Sequence, residues 1–293
     1  MVPKAEFSSY YGRQIIKSPT WKQPDVPSYL YLGGLAGASA TFAAMSDLTG
    51  LPALRRAGRI AAAGGATVSV VALVHDLGRP TRFLNMLRVF KPTSPLSVGS
   101  WLLAPFSGLA TVAALSEVSG RLPTIGRLGG LAAGVLGPAM TTYTAVLLAD
   151  TAVPGWHEAY RELPFVFAGS ALASAGGVAV AVQPVAAARR VAVTGGLLEL
   201  GASARLESRL GLVHETWTTG RAGRLIKASR ACTVAGTGLA ALSGRLPWLG
   251  RPAGVLLNAG AATLRFGVFE AGMASARDPK YVVVPQRERL AAR

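Results

Sequence analysis

Eight stretches of this 293-residue chain are almost wholly apolar. Each is close to the ~20 residues that a helix needs to cross the hydrocarbon of a bilayer. They fall at about 28–48, 57–77, 97–118, 128–150, 163–183, 186–204, 226–244 and 252–274. Buried helices of soluble proteins seldom keep this length without a polar face. Hydrophobic residues make up 51% of the chain and charged residues only 15%, against roughly 25% charged in an average soluble domain. The expected fold is an all-α integral membrane protein, about eight transmembrane helices packed in a bundle. Gly33, Gly34 and Gly37 in the first span let neighbouring backbones approach closely. A polar N-terminal segment, 1–27, precedes the transmembrane region, 28–274, and a basic tail, 275–293, follows it. The sixth span is the weakest, since Arg189, Arg190 and Glu199 lie in it and it runs into Arg205, Glu207 and Arg209.

Lys and Arg number 30 against 14 acids, a net charge of +16. The basic residues lie mostly between the apolar runs. Nucleic-acid binding is therefore set aside in favour of loop charges that fix topology and touch anionic lipid headgroups. Eight spans put both termini on one side. Segments on that side hold 20 basic residues and the opposite loops hold 9, which predicts both termini in the cytoplasm. No short apolar segment with a cleavage site opens the chain. The single cysteine, Cys232, makes a disulfide framework impossible and cannot hold an iron–sulfur cluster alone. Between spans two and three, Arg79–Leu96 sets Phe83, Met86, Leu87 and Phe90 among Arg82, Arg88 and Lys91. That pattern predicts a short amphipathic helix at the interface.

Polar groups near membrane depth are costly, so each is a candidate functional group. Here they cluster. His75 and Asp76 close span two, Asn85 lies in the interfacial segment and Trp101 opens span three. Tyr143 and Asp150 end span four, and Trp156, His157 and Glu158 follow. Asp25 and Tyr29 open span one at i, i+4 spacing, which places them on one helix face. All of these fall on the side of the termini. A quinone site needs an apolar slot, a donor to each carbonyl oxygen and a group that exchanges protons near neutral pH, and Tyr, His and Asp supply these. The competing readings are an aromatic belt for Trp101, Trp156, Tyr29 and Tyr31, and simple pairing of Asp76 with Arg79 or Arg82.

A b-type haem would need two His on facing helices, whereas His75, His157 and His214 lie at span ends or in loops. No HExxH, CxxC, GxSxG or phosphate loop occurs. Glu199 in span six, with Arg265 and Glu270 in span eight, forms a second charged set. It reads either as an internal ion pair or as a proton path.

The stretch HDLGRPTRFLNMLRVFKPTSPLSVGSW, His75 to Trp101, resembles the membrane subunit of the polysulfide reductase and formate-dependent nitrite reductase family (NrfD/PsrC). Leu96 stands where Met is frequent in that family. YTAVLLADTAVPGWHEA, Tyr143 to Ala159, is similar to the family's fourth helix and following loop, and YLYLGGLAGA in span one also fits. The resemblance runs from about Trp21 to Asp278. It implies a quinone-reactive subunit of a respiratory oxidoreductase complex in the bacterial cytoplasmic (inner) membrane. The substrate would be menaquinone or ubiquinone, with no metal or haem on this chain. Partners would be a ferredoxin-like 4Fe–4S subunit and a molybdopterin-type or other catalytic subunit. A first-helix Asn and His and a fourth-helix Tyr contact the quinone in the polysulfide reductase type. The Tyr matches Tyr143, and the other two positions fall on Asp25 and Tyr29. With the charge bias, the iron–sulfur partner is expected on the cytoplasmic face.

The expected site is thus His75, Asp76, Tyr143 and His157 for proton and electron exchange, with Asp25, Tyr29, Arg79, Asn85, Trp101, Asp150 and Trp156 around the quinone. Glu199, Arg265 and Glu270 are the proton-path set. The alternatives are a proton-translocating or small-solute transport subunit, for which Pro105 and Pro138 would break helices, and a passive membrane anchor. An anchor would lose nothing with the polar cluster. No internal repeat stands out in the sequence.

Overall fold

The computed structural model describes residues 15–79 and 81–291, and among them every regular element is helical. In chain order the helices are α1 Asp25–Leu48, α2 Pro52–Asp76, α3 Thr81–Met86, α4 Pro95–Ser119, α5 Pro123–Ala149, α6 Pro154–His157, α7 Leu163–Val182, α8 Ala186–Arg209, α9 His214–Thr218, α10 Gly220–Leu242, α11 Gly250–Arg277 and α12 Lys280–Ala291. The eight long helices coincide with the eight apolar runs. Four of them, α2, α4, α5 and α7, are long and apolar enough to cross a membrane by themselves.

Local chemistry explains where they begin. Proline sits in the first turn of α2, α4, α5, α6 and α7, where its missing N–H costs nothing. Ser94 caps α4 by accepting the Ser97 N–H at 3.4 Å, and Gly120 ends that helix in the left-handed conformation at φ +68°. Pro105 and Pro138 do not break their helices, because α4 and α5 run through them. Near Pro138, the Thr141 hydroxyl donates to the Pro138 carbonyl at 2.7 Å.

Two four-helix bundles result. In the first, α1 packs on α2, α2 on α4, α4 on α5, and α5 back on α1. The second repeats this cycle with α7, α8, α10 and α11. The bundles meet along α1, α5, α7 and α11. Small residues set the spacing. A Cβ on Gly37 would lie 2.6 Å from the Gly137 carbonyl oxygen, so α1 and α5 could not approach this closely with any other residue there.

Three segments depart from expectation. The interfacial helix is only the six residues of α3, with no buried side chain, and the rest up to Ser94 is turn and coil. Pro80 at its start lies outside the described residues. The sixth run is one continuous helix through its charged end to Arg209, where Glu162 accepts from Arg209 at 2.7 Å. Part of the basic tail is helical, as α12.

Candidate functional site

The terminus-side end of the first bundle carries the candidate site. Tyr29 on α1 and Tyr143 on α5 are both buried, and their hydroxyls hydrogen-bond to each other across the helix pair. Their rings meet edge-on with centroids 6.4 Å apart. The Tyr29 carbonyl accepts from Ser69 of α2 at 3.3 Å. On the far side of the Tyr143 ring lies Gly99 of α4, where a Cβ would stand 2.8 Å from Cδ2 and closer still to Cε2. The glycine of the SPLSVGSW stretch is therefore the seat of the tyrosine ring. Sequence reasoning missed it, although a glycine two residues before the motif tryptophan was the available signal.

Beside Tyr143 opens a cleft of about 690 Å³ between α4 and α5, within the size range of small-molecule sites. Val98, Leu102 and Val146 make its wall apolar, while Asp150, His157 and Tyr160 stand at its mouth with Tyr143 further in. His157 Nδ1 lies 3.0 Å from the Ala149 carbonyl oxygen. A carbonyl can only accept, so Nδ1 carries its hydrogen, and in the neutral tautomer Nε2 is the ring's acceptor. The ring also stacks on Tyr160, centroids 6.3 Å apart. Of the residues expected from sequence, Tyr143, Asp150 and His157 are brought together on this cleft, with Tyr29 directly behind.

The others lie elsewhere. His75 pairs with Asp25 at 2.7 Å, its side chain 74% exposed, at the junction of α1 and α2. Asp25 and Tyr29, expected on one face, each find a different partner. Asp76 accepts the Lys22 backbone N–H at 2.9 Å, and among the described residues no ion pair links it to Arg79 or Arg82. Arg82 donates instead to the Leu77 carbonyl at 3.1 Å. Arg79 and Asn85 are exposed and line no part of the cleft. Trp101 is 42% exposed and packs edge-on against Phe90 at 6.0 Å, in keeping with an interfacial aromatic. Trp156 is fully buried, donates from Nε1 to the Val268 carbonyl at 2.8 Å and stacks on Trp21 at 5.4 Å. It is a structural anchor between α6 and α11 rather than a wall of the cleft.

The second charged set is also rearranged. Arg265 does not pair with Glu270. It lies buried over the Phe167 ring, 3.7 Å from the centroid, and donates to the Phe167 carbonyl at 3.1 Å. Glu270 pairs with Arg221 at 3.1 Å and accepts from Gln23 at 2.9 Å. Glu199, buried on α8, accepts from Thr233 at 2.8 Å. One Glu199 oxygen and two Arg265 nitrogens have no partner among the described residues. An ion network at the opposite end of the first bundle was not anticipated. There Asp47 and Glu117 are held by Arg55, Arg59 and Arg127 around a cup of about 410 Å³. Among the described residues no group of three His, Cys, Asp or Glu could hold a metal ion.

A two-bundle helical fold in which four helices are long and apolar enough to span a bilayer defines a multi-pass membrane protein. The chain belongs to the polysulphide reductase NrfD family, whose model matches residues 17–195. That match includes every residue of the cleft and ends within α8. Membership marks the chain as a membrane subunit of a respiratory reductase complex. No curated protein matches it.

Proposed function

We propose that this chain exchanges electrons and protons between a membrane quinone, menaquinone or ubiquinone, and an iron–sulfur partner subunit, and that the cleft beside Tyr143 receives the quinone ring. One observation carries the reading: an apolar slot of about 690 Å³ whose lining includes a tyrosine, an aspartate and a histidine, Tyr143, Asp150 and His157. In this reading Tyr143 donates to one carbonyl oxygen. Tyr29 holds that hydroxyl in place by occupying its other hydrogen-bonding position. His157 offers Nε2 at the mouth, and Val98, Leu102 and Val146 exclude water from the ring. All eight long helices cross the bacterial inner membrane, both termini face the cytoplasm, and a ferredoxin-like 4Fe–4S subunit docks there with its catalytic, molybdopterin-type subunit. The basic bias of the terminus side supports that orientation.

Replacing Tyr143 with Phe keeps the ring on Gly99 and removes only the hydroxyl. Quinol-driven reduction of the partner should fall by about tenfold to a hundredfold, the worth of one to two hydrogen-bond strengths. Unchanged turnover with unchanged quinone affinity would remove Tyr143 from the site. A proton-translocating role is favoured by a separate observation, the buried Glu199 and Arg265 with unpartnered polar atoms. If Glu199→Gln abolishes proton uptake by proteoliposomes while quinol oxidation continues, translocation is an activity of its own.

A further inference from the structure

His157 borders two cavities. Besides the cleft, it lines a groove of about 350 Å³ on the terminus side, between the α5–α6 turn and α12, with Glu158, Gln286 and Arg289 among its walls. No other described residue belongs to both. The hydrogen bond from Nδ1 to the Ala149 carbonyl, 3.0 Å, and the stack on Tyr160 hold the ring between them. The charged and titratable groups around it are Asp150 at the end of α5, Glu158 beside it, Tyr160 with Arg161 on its ring, and Tyr281 and Arg289 from α12.

We propose that His157 is the proton gate of the cleft, passing one of the two quinol protons from the cleft to the terminus-side groove. The inference rests on the quinone reading above. Oxidation of a quinol to a quinone breaks two O–H bonds and yields two electrons and two protons. The electrons go to the iron–sulfur partner. The proton of the hydroxyl nearer the mouth moves to His157 Nε2, and the imidazolium then gives a proton to water in the groove and becomes neutral again. The other proton leaves from the hydroxyl that faces Tyr143, passes to the Asp150 carboxylate on the same cleft and goes from there to water outside it. Proton exchange through His157 is therefore one-sided: it takes place on the face where the termini lie and carries no charge across the bilayer.

The test uses the intact complex in the membranes that make it, with menadiol as the quinol probe. Diethyl pyrocarbonate, which acylates imidazole nitrogen, should modify His157, and menadione in the cleft should protect it at least roughly fivefold by peptide mass spectrometry. Absence of protection overturns the proposal without any variant having to fold. His157→Ala and His157→Gln should each slow menadiol oxidation at least about a hundredfold, the low end of proton-transfer effects, while menadione binding by equilibrium dialysis stays within about twofold. Added imidazole should restore His157→Ala several-fold and leave His157→Gln unrescued, because only the alanine variant leaves room for it. Slowing without rescue, or no slowing, overturns the gate and leaves His157 a loop anchor. Failure of the quinone reading looks different: the parent complex would not retain menadione, and Tyr143→Phe would oxidise menadiol at the parent rate.

Discussion

The two ends of the first bundle both gather polar residues and use them differently. Away from the termini, Asp47 and Glu117 meet Arg55, Arg59 and Arg127, and all four carboxylate oxygens are taken. Arg55 spans both acids with bonds of 3.0 to 3.1 Å, Arg59 reaches Glu117 at 2.8 Å, and Arg127 reaches Asp47 at 3.1 Å. At the terminus end, Tyr143 and His157 satisfy one position each within the chain and turn toward an apolar cleft. A buried charge whose partners are all in place fastens helices. A polar group with capacity left over beside a cavity is available for chemistry. The two ends differ in how fully their polar groups are satisfied, which composition alone does not show.

The contrast breaks most sharply at Arg59. Its side chain is 7% exposed, and a Cβ on Gly130 would sit 3.0 Å from its guanidinium, so the cup is built around it. Arg59→Ala strips a buried partner from Glu117 and Asp47, and removing one member of such a network costs about 3–5 kcal/mol. Thermal unfolding of the purified protein should show a large drop in Tm, with menadione binding retained by the folded fraction. An unchanged Tm would mean that the opposite end is not the structural one. Gly99→Ala should do the reverse. The added methyl meets the Tyr143 ring, a strain of about 1–3 kcal/mol, and it displaces the hydroxyl from Tyr29. Quinol oxidation should fall by more than the loss of stability explains. Equal Tm loss with full activity would dissociate the tyrosine pair from the cleft.

The helices were largely legible, and the reasons are physical. Apolar runs of bilayer length leave little choice of structure, and the prolines at 52, 95, 123 and 154 mark where helices start. The C-terminal helix was not legible, because its Val282–Val284 run and Pro285 both disfavour a helix. The site was half legible. Hydropathy and charge give a residue's level along the helices, and Tyr143, Asp150 and His157, gathered in that way, line one cleft. They give no azimuth, so His75, Asp76, Asn85 and Trp101 were gathered at the same depth although they lie outside the cleft. Where azimuth could be reckoned it was informative. Arg265 and Glu270, five residues apart, stand about 140° apart around a helix, and they find different partners. The ion network at Asp47 and Glu117 went unread because its arginines had been counted only as topology charges.

Within the terminus end the same distinction predicts smaller effects. Trp156 is saturated like the Asp47 and Glu117 carboxylates, with Nε1 bonded to the Val268 carbonyl. Trp156→Phe keeps most of the packing against Trp21 and Phe269 and leaves that carbonyl unpaired, at a cost of about 1–3 kcal/mol. Tm should fall modestly while menadiol oxidation per folded molecule holds. A selective activity loss would make Trp156 part of the site after all.

The smallest effect is expected at Glu215, outside the spanning helices. It is exposed, accepts from Lys280 Nζ at 2.6 Å and from Tyr281 at 3.2 Å, and the Lys280 hydrogen bond holds its carboxyl below the usual range. Tyr281, in turn, is pushed up to about 12 by burial and by this acceptor. A carboxyl with a lowered folded-state pKa contributes its stabilisation above the ordinary Glu value and loses it as pH falls through the folded value. Acidification below about pH 4 should therefore release α12 locally, seen as faster amide exchange over residues 280–291 with α5 unaffected. Lys280→Ala should move that release to higher pH, and high salt should do the same because the pair is exposed. If exchange in α5 rises together with that in α12, the C-terminal helix is part of the bundle's cooperative unit, and the groove beside His157 opens only when the cleft itself unfolds.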